Sequence, residues 1–329
     1  MAKRIRVAVA MSGGVDSGVT AALLKKQGFD VIGIFMKLFD SSVFRDSEKR
    51  ARKTAKKLGI SFSVLDLRKE FKKIVFNYFL DEYKKGRTPN PCVVCNKEIK
   101  FGLLLEKALS LKVDFIASGH YAQKAGNKLL RARDKDKDQS YFLWKLNQKQ
   151  LGRILFPLGN YTKKKVKDLA RNFKLPLLNI PESQEICFVG KGINDFLKKY
   201  LKVKPGAIVD EKGKEVGWHQ GLCFYTIGQR KGIGHSGGTY YVIWKNLKNN
   251  VLAVSRNKKD LEKKELIAGE VNWVSGKKPK LPVRIKVKTR SKQKEFLATI
   301  KPASKKIKVI FDKSQRAITS GQSVVFYSG

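Results

Sequence analysis

The sequence predicts an α/β protein: an N-terminal doubly wound parallel sheet, a small central domain and a C-terminal β-barrel. Three observations predict it. Over the first 120 residues, short apolar runs rich in β-branched residues alternate with helical patterns, as in strands joined by crossover helices. From about residue 206 the texture changes to short runs between glycine-rich turns. In the last third, apolar and basic residues alternate with period two, as in Val283-Arg-Ile-Lys-Val-Lys-Thr-Arg290, which gives a strand one core face and one cationic face.

Residues 5–11 read as a strand covered on both faces, 16–27 as a helix, 31–36 as a strand, 47–58 as a helix, 60–65 as a strand and 70–83 as a helix. Gly86-Arg-Thr-Pro-Asn-Pro-Cys92 is turn material, since its two prolines lack the N–H that helices and sheets use. A helix is expected from Cys95 through Leu109, a strand over 113–118, and a helix over 163–172 that stops before Leu175-Pro176. Further strands are expected over 239–244, 251–255 and 306–311. The expected domain limits are 1–200, 201–268 and 269–329. Ligands of such a parallel sheet should sit at the carboxyl ends of its strands.

The 329 residues carry 70 Lys+Arg against 28 Asp+Glu, a net charge of +42. With 42% hydrophobic residues that charge does not signal disorder; it points to a polyanionic partner, which basic side chains bind by releasing counterions. Between Lys277 and Lys308 there are 13 basic residues and one acid, Glu295. Most of this run is a solvated face, yet a strand-borne basic face suits the backbone of a folded RNA. No stretch approaches the roughly 18–20 apolar residues of a membrane span. The basic start runs into a short apolar segment and then Ser12-Gly-Gly, which is not a signal peptide, so a cytoplasmic protein without a membrane partner is expected. Four cysteines (Cys92, Cys95, Cys187, Cys223) are too few for a disulfide scaffold, and the three histidines (His120, His219, His235) have no zinc-site spacing. Cys223, His219, His235 and the four tryptophans (Trp144, Trp218, Trp244, Trp273) read as structural residues.

The strongest local signal is Ser12-Gly-Gly-Val-Asp-Ser17, set between the first strand and its helix. Its glycines let backbone approach an anion, the helix N-terminus offers N–H groups, and two hydroxyls add donors. The chain has neither a Walker A loop nor a dinucleotide fingerprint. The loop resembles the PP-loop of ATP pyrophosphatases, which split ATP between the α- and β-phosphates. A second constellation is Thr88-Pro-Asn-Pro-Cys-Val-Val-Cys-Asn-Lys-Glu-Ile-Lys-Phe101, where a thiol at a helix start with Lys97 and Lys100 a turn on is expected to have a lowered pKa. A third is Ser183-Gln-Glu-Ile-Cys-Phe-Val189, with a lone cysteine.

These three stretches occur in one order with Ala117-Ser-Gly-His-Tyr121, Lys137-Asp-Gln-Ser-Tyr-Phe-Leu143, Phe224-Tyr-Thr-Ile-Gly-Gln-Arg-Lys-Gly232 and Gly321-Gln-Ser-Val-Val-Phe-Tyr327. Together they are similar to the tRNA-specific 2-thiouridylase family over essentially the whole chain. The resemblance implies adenylation of the C2 oxygen of the wobble uridine by Mg-ATP, then sulfur transfer from a cysteine persulfide. It places the persulfide on Cys187 and the partner that releases its sulfur on Cys95, with a Cys95–Cys187 disulfide left for a reductant. It places ATP at Ala10, Met11, Ser12, Gly13, Gly14, Val15, Asp16, Ser17, Met36 and Gly119, with Asp16 helping to hold Mg²⁺. Asn90, Pro91 and Cys92 fall where the family meets the target base. His120, Lys137, Asp138, Gln139, Arg290, Ser291 and Gln322 fall where it meets tRNA elsewhere. A sulfur donor such as a cysteine desulfurase or a sulfur-relay protein is a further implied partner.

Three positions depart from the family pattern. Cys92 stands where many members have an aspartate thought to help proton transfer, and it makes Cys92, Cys95 and Cys187 a candidate three-thiolate ligand set for a [4Fe–4S] cluster. Gln123 replaces a frequent arginine, and Ser291 a frequent aromatic. Two other readings stay open: a PP-loop enzyme with another substrate, which has no need of Cys95, Cys187 or +42, and a non-catalytic RNA-binding protein, which has no need of the Ser12–Ser17 loop.

Overall fold

The structure, a computed structural model, describes residues 4–177, 186–190, 192–233 and 239–328. Two compact units form, one from Met1–Val75, Cys92–Gln184 and Asn272–Lys278, the other from Phe76–Pro91, Glu185–Val271 and Pro279–Gly329.

The first unit is the expected doubly wound sheet. Its strands are β1 (Arg6–Ala10), β2 (Asp30–Lys37), β3 (Ser61–Asp66) and β4 (Phe115–Ala117), then a small hairpin of β5 (Ala122–Ala125) and β6 (Lys128–Arg131), then β7 (Ile154–Leu155). The main sheet has the order β3-β2-β1-β4-β7, every pair parallel. Period-two alternation explains why β1 lies at its centre. Val7 and Val9 pack with Ala21, Leu24, Ala51 and Ala55 on one face, while Ala8 packs with Phe101, Leu104, Ala108 and Ile154 on the other. Strand order reverses between β1 and β4, and that is where an open parallel sheet forms its ligand crevice.

Helices α1 (Val15–Lys26) and α2 (Ser42–Leu58) cover one face. α2 begins five residues before the sequence pattern suggests, because Ser41 caps it by accepting the Phe44 N–H. Gly59, in the left-handed region at φ +57°, ends it. After β3 come α3 (Arg68–Phe71), a π-helical stretch at Lys72–Phe76 and α4 (Asn77–Lys84). The helix expected from Cys95 starts at Pro91, whose missing N–H costs nothing at a helix start. It comprises α5 (Pro91–Val94), a π-helix over Cys95–Leu103 and α6 (Leu104–Ser110). Two more helices follow, α7 (Gln148–Gly152) and α8 (Lys163–Asn172). The Asn272–Lys278 segment belongs here because Asn272 Nδ2 donates to the carbonyls of Trp144 and Leu146 at 2.6 and 3.0 Å.

In the second unit, α4 and α9 (Ile193–Tyr200) share an aromatic cluster. Phe79 lies 5.2 Å from Phe188 and 6.1 Å from Phe196, and Phe76 lies 5.0 Å from Tyr200, all edge-to-face. β8 (Gly206–Val209), β9 (Glu215–His219), β10 (Tyr241–Asn246) and β11 (Val251–Ser255) form a sheet of order β10-β11-β8-β9. β12 (Glu262–Ala268), β13 (Val283–Lys288), β14 (Phe296–Ala303), β15 (Lys306–Arg316) and β16 (Val325–Tyr327) form an antiparallel sheet of order β12-β15-β14-β13-β16. The expected alternation holds there: Val287, Ile307, Val309 and Phe311 are buried, while Arg284 and Lys286 are exposed. Trp218 and Trp244, expected in the core, are instead exposed on β9 and β10. His219 is structural, its ring nitrogens meeting the Gly221 N–H and the Asn250 carbonyl.

Phe79 is fully buried, so Phe79→Ala should lower the stability of the chain by about 3–5 kcal/mol, read as a lower urea midpoint.

Candidate active site

The Ser12–Ser17 loop joins β1 to α1 and closes on itself. The Ser12 N–H donates to Ser17 Oγ at 3.1 Å, and the Ser17 hydroxyl donates to the Gly14 carbonyl at 3.0 Å. Gly14 is the N-cap of α1 and supplies no side-chain acceptor, so the first N–H groups of the helix keep their polarity for an anion. Gly13 holds φ +76°, and a Cβ there would lie 2.1 Å from the Ser47 carbonyl oxygen. Arg50 on α2 donates to the Gly13 carbonyl at 3.2 Å and braces Ser47 at 2.8 Å.

The segment after β4 meets this loop at the strand-order reversal. A Cβ on Gly119 would lie 2.9 Å from the backbone of both Asp16 and Ser17, so only glycine lets the two chains approach this closely. Tyr121 donates its hydroxyl to Asp16 Oδ1 at 3.0 Å, and Lys163 Nζ sits 2.6 and 2.8 Å from the two Asp16 oxygens. Met36, at the end of β2, is half-buried, as are Ala10 and Val15, whereas Met11 is buried. Asp16 suits Mg²⁺ delivered with a nucleotide, since that ion takes one or two protein carboxylates and completes its shell from phosphates and water.

Cys95 is buried on the π-helix, and the structure explains the widened turn. A Cβ on Gly102 would lie 2.9 Å from the Lys97 carbonyl oxygen. Gln150 Nε2 donates to the carbonyls of Lys97 and Phe101 at 2.8 and 2.9 Å. Gln150 is itself fixed by a capping box with Asn147. Asn96, next to Cys95, donates to the Phe142 carbonyl at 3.1 Å. Cys92 is reached by solvent, yet the protein around it pushes its thiol pKa up, with Lys100 opposing. For this thiol desolvation outweighs the pull of Lys100.

Asn90 and Pro91 are buried in the second unit. The loop that carries them is clamped by the C-terminal segment. Gln322 Nε2 donates to the Thr88 carbonyl at 2.9 Å, the Thr88 N–H donates to the Ser320 carbonyl at 2.9 Å, and Thr88 and Thr226 share a hydroxyl contact at 3.0 Å. Cys187 is exposed in this unit, immediately before the clustered ring of Phe188. Ser183, Gln184 and Glu185 of its motif, and His235, lie outside the described residues. None of the four cysteines forms a disulfide.

Several residues expected at tRNA have internal partners as well. Asp138 accepts from the N–H groups of Ala132 and Ser140. Gln139 exchanges two hydrogen bonds with the Tyr121 backbone. Arg290 Nη2 donates to the carbonyls of Ile227 and Ala317 and to Thr319 Oγ1. Lys137 and Ser291 are half-buried. Among the described residues no group of three or more His, Cys, Asp or Glu side chains is placed to hold a metal ion. Cys92 and Cys95 belong to the first unit and Cys187 to the second.

The comparisons agree across the chain. Residues 5–191 match the family described as tRNA methyl transferase HUP domain, 194–256 its PRC-barrel domain, and 263–329 the aminomethyltransferase beta-barrel domain. The tRNA-specific 2-thiouridylase of Thermoanaerobacter sp. (strain X514) is 47% identical, covering 98% of this chain and 94% of its own length. Those of Halothermothrix orenii and Clostridioides difficile are 46% and 44% identical, each covering 98% of this chain and 96% and 95% of their own lengths. The chain belongs to the tRNA-specific 2-thiouridylase family. Within this thiouridylase-family chain, Tyr121, Gln150, Arg50 and Lys163 shape the site without having stood out in the sequence. Tyr121 lay inside a recognised motif; the other three are polar residues in polar runs, with no local signal.

Two outcomes are expected. Gln150→Leu should cost about 2–4 kcal/mol, measured by chemical denaturation, because it leaves two carbonyls without their donor. His120, whose Nδ1 lies 2.8 Å from Ser118 Oγ, has its pKa held well below the usual value by burial and by Lys100. A histidine neutral in the fold and basic when unfolded leaves stability intact above its unfolded pKa of about 6.5 and removes it as pH falls below that. Unfolding midpoints at pH 7.5 and 5.5 should therefore converge in His120→Asn relative to the parent chain.

Proposed function

We propose that the protein is an ATP-dependent tRNA-uridine 2-sulfurtransferase. The observation that carries this reading is the Ser12–Ser17 loop at the strand-order reversal, closed by Gly119 and bearing Asp16, in a chain of the thiouridylase family. Backbone N–H groups and hydroxyls at the head of α1 are suited to the phosphates of ATP. Mg²⁺, where bound by Asp16 and phosphate oxygens, would neutralise charge on the pyrophosphate leaving group.

In this reading the uridine C2 oxygen attacks the α-phosphate, pyrophosphate departs, and C2 carries an adenylate. A urea-like oxygen leaves poorly until so esterified. A persulfide on Cys187, charged by a cysteine desulfurase or a sulfur-relay protein, attacks C2 with its outer sulfur and expels AMP. Cys95 as thiolate then attacks the Cys187 sulfur, the S–S bond breaks, and its electrons stay on the sulfur at C2. The products are 2-thiouridine, AMP, pyrophosphate and a Cys95–Cys187 disulfide, which a cellular thiol reductant resets. Asn90 and Pro91 meet the target base from the loop that Gln322 anchors. His120, Lys137 and Ser291 meet tRNA elsewhere, with Asp138, Gln139 and Arg290 also shaping those surfaces. Segments 1–200, 201–268 and 269–329 supply adenylation, the central frame and the basic RNA-facing barrel.

The net charge of +42 favours this over a PP-loop enzyme with a small substrate. The test is nucleoside mass spectrometry on unmodified tRNA incubated with protein, Mg-ATP, cysteine with a cysteine desulfurase as the persulfide source, and a thiol reductant to clear the disulfide. The parent chain should yield 2-thiouridine. Cys187→Ser and Cys95→Ser should each lower the yield at least about a hundredfold while tRNA and ATP binding persist. Full activity in Cys187→Ser would remove the persulfide from that residue.

A further inference from the structure

Asp16 is held from two sides at the loop. Lys163 Nζ contacts both carboxylate oxygens, at 2.6 and 2.8 Å, and the Tyr121 hydroxyl donates to Oδ1 at 3.0 Å. The Lys163 side chain is only 12% exposed, so this is not a surface lysine resting on a nearby acid. Its backbone is fixed independently of its head group. Lys163 opens α8, Thr162 caps that helix by accepting the Lys165 N–H, and the Lys163 N–H donates to Asp134 at 2.8 Å. Tyr121 is fixed as well, because its N–H donates to Gln139 Oε1 at 2.9 Å and its carbonyl accepts the Gln139 N–H at 2.8 Å. A lysine so anchored can turn its flexible stem without moving its helix.

We infer that Lys163 is a phosphate-binding residue that exchanges Asp16 for the nucleotide. The inference rests on the ATP reading of the loop. Paired as it is in the structure, Lys163 cancels the charge of Asp16, which would otherwise repel the triphosphate entering beside it. When Asp16 turns to a metal ion arriving with the nucleotide, Lys163 is released to a phosphate oxygen and gains a charge-assisted hydrogen bond in place of the one it gave up. Tyr121 keeps Asp16 aimed through the exchange. No covalent bond changes.

The test is calorimetric titration of the full chain with ATP, in excess Mg²⁺ and in excess EDTA, compared with Lys163→Met, Lys163→Arg and Asp16→Asn. In Lys163→Met the unpaired carboxylate faces the phosphates, so affinity in EDTA should fall about tenfold and affinity in Mg²⁺ by less. Asp16→Asn should act oppositely in EDTA, binding ATP about tenfold more tightly than the parent chain, because Lys163 is then free for phosphate. Lys163→Arg should keep most of the EDTA affinity. A lysine that merely pins α8 would give another pattern: Lys163→Met and Asp16→Asn break the same pair and would weaken binding alike, with the ratio between Mg²⁺ and EDTA unmoved. That pattern overturns the inference and leaves the ATP reading standing. If Lys163→Met does not fold, Asp16→Asn decides alone, tighter binding in EDTA supporting the exchange and weaker binding overturning it. A parent chain that binds ATP in neither condition overturns the ATP reading and this inference with it.

Discussion

The backbone contact between Gly119 and the start of α1 sets the rest of the site. No side chain fits there: a Cβ would come within 2.9 Å of the Asp16 and Ser17 backbone. The contact follows from topology, since β1 and β4 are neighbours where the strand order reverses and the loops leaving them must share one space. Because Gly119 lies so close, Tyr121 two residues on reaches Asp16, and Asp16 in turn meets Lys163 from α8. A larger residue at 119 would push the two loops apart, and the charges of the site would lose their common point.

The residues named in the proposed reaction fall in both units. The first carries the anion loop, Asp16 and Cys95; the second carries Cys187, Asn90 and Pro91. Asp16 and the Cys95 helix are set by hydrogen bonds from fixed polar side chains, Tyr121 in one case and Gln150 in the other. Cys187 remains exposed while Phe188 beside it packs edge-to-face against Phe79 and Phe196. Asn90 and Pro91 ride on a loop whose Thr88 and Pro89 carbonyls are taken by Gln322, so that loop is held by the C-terminal segment.

Local rules made much of this legible. The alternation of Val7, Ala8 and Val9 gave a two-sided central strand, and two glycines between a strand and a helix gave the anion loop. The limits of that reading are equally physical. Helix α2 starts at a serine cap ahead of Val43 and Phe44, which carry no periodic signal of their own. The π-helix under Cys95 depends on Gln150, about fifty positions away in sequence, and no local pattern encodes such a partner. Lys163 lies in Thr162-Lys-Lys-Lys165, which reads as a solvated helix start until α8 is seen packed on α1. Trp218 and Trp244 were misread because hydrophobicity says where a residue gains from burial, whereas edge-strand position decides whether burial is on offer.

Cys92 shows how the surrounding protein settles a choice that residue type leaves open. A carboxylate at this position would be ionised at neutral pH and able to accept a proton. The thiol found here has its pKa pushed above an already basic ordinary value, so it stays protonated and can donate a hydrogen bond without acting as a base. Lys100 pulls the other way and is outweighed by desolvation. Cys92 and Cys95 share one helix three residues apart, and they differ in solvent access: one open to water, the other enclosed.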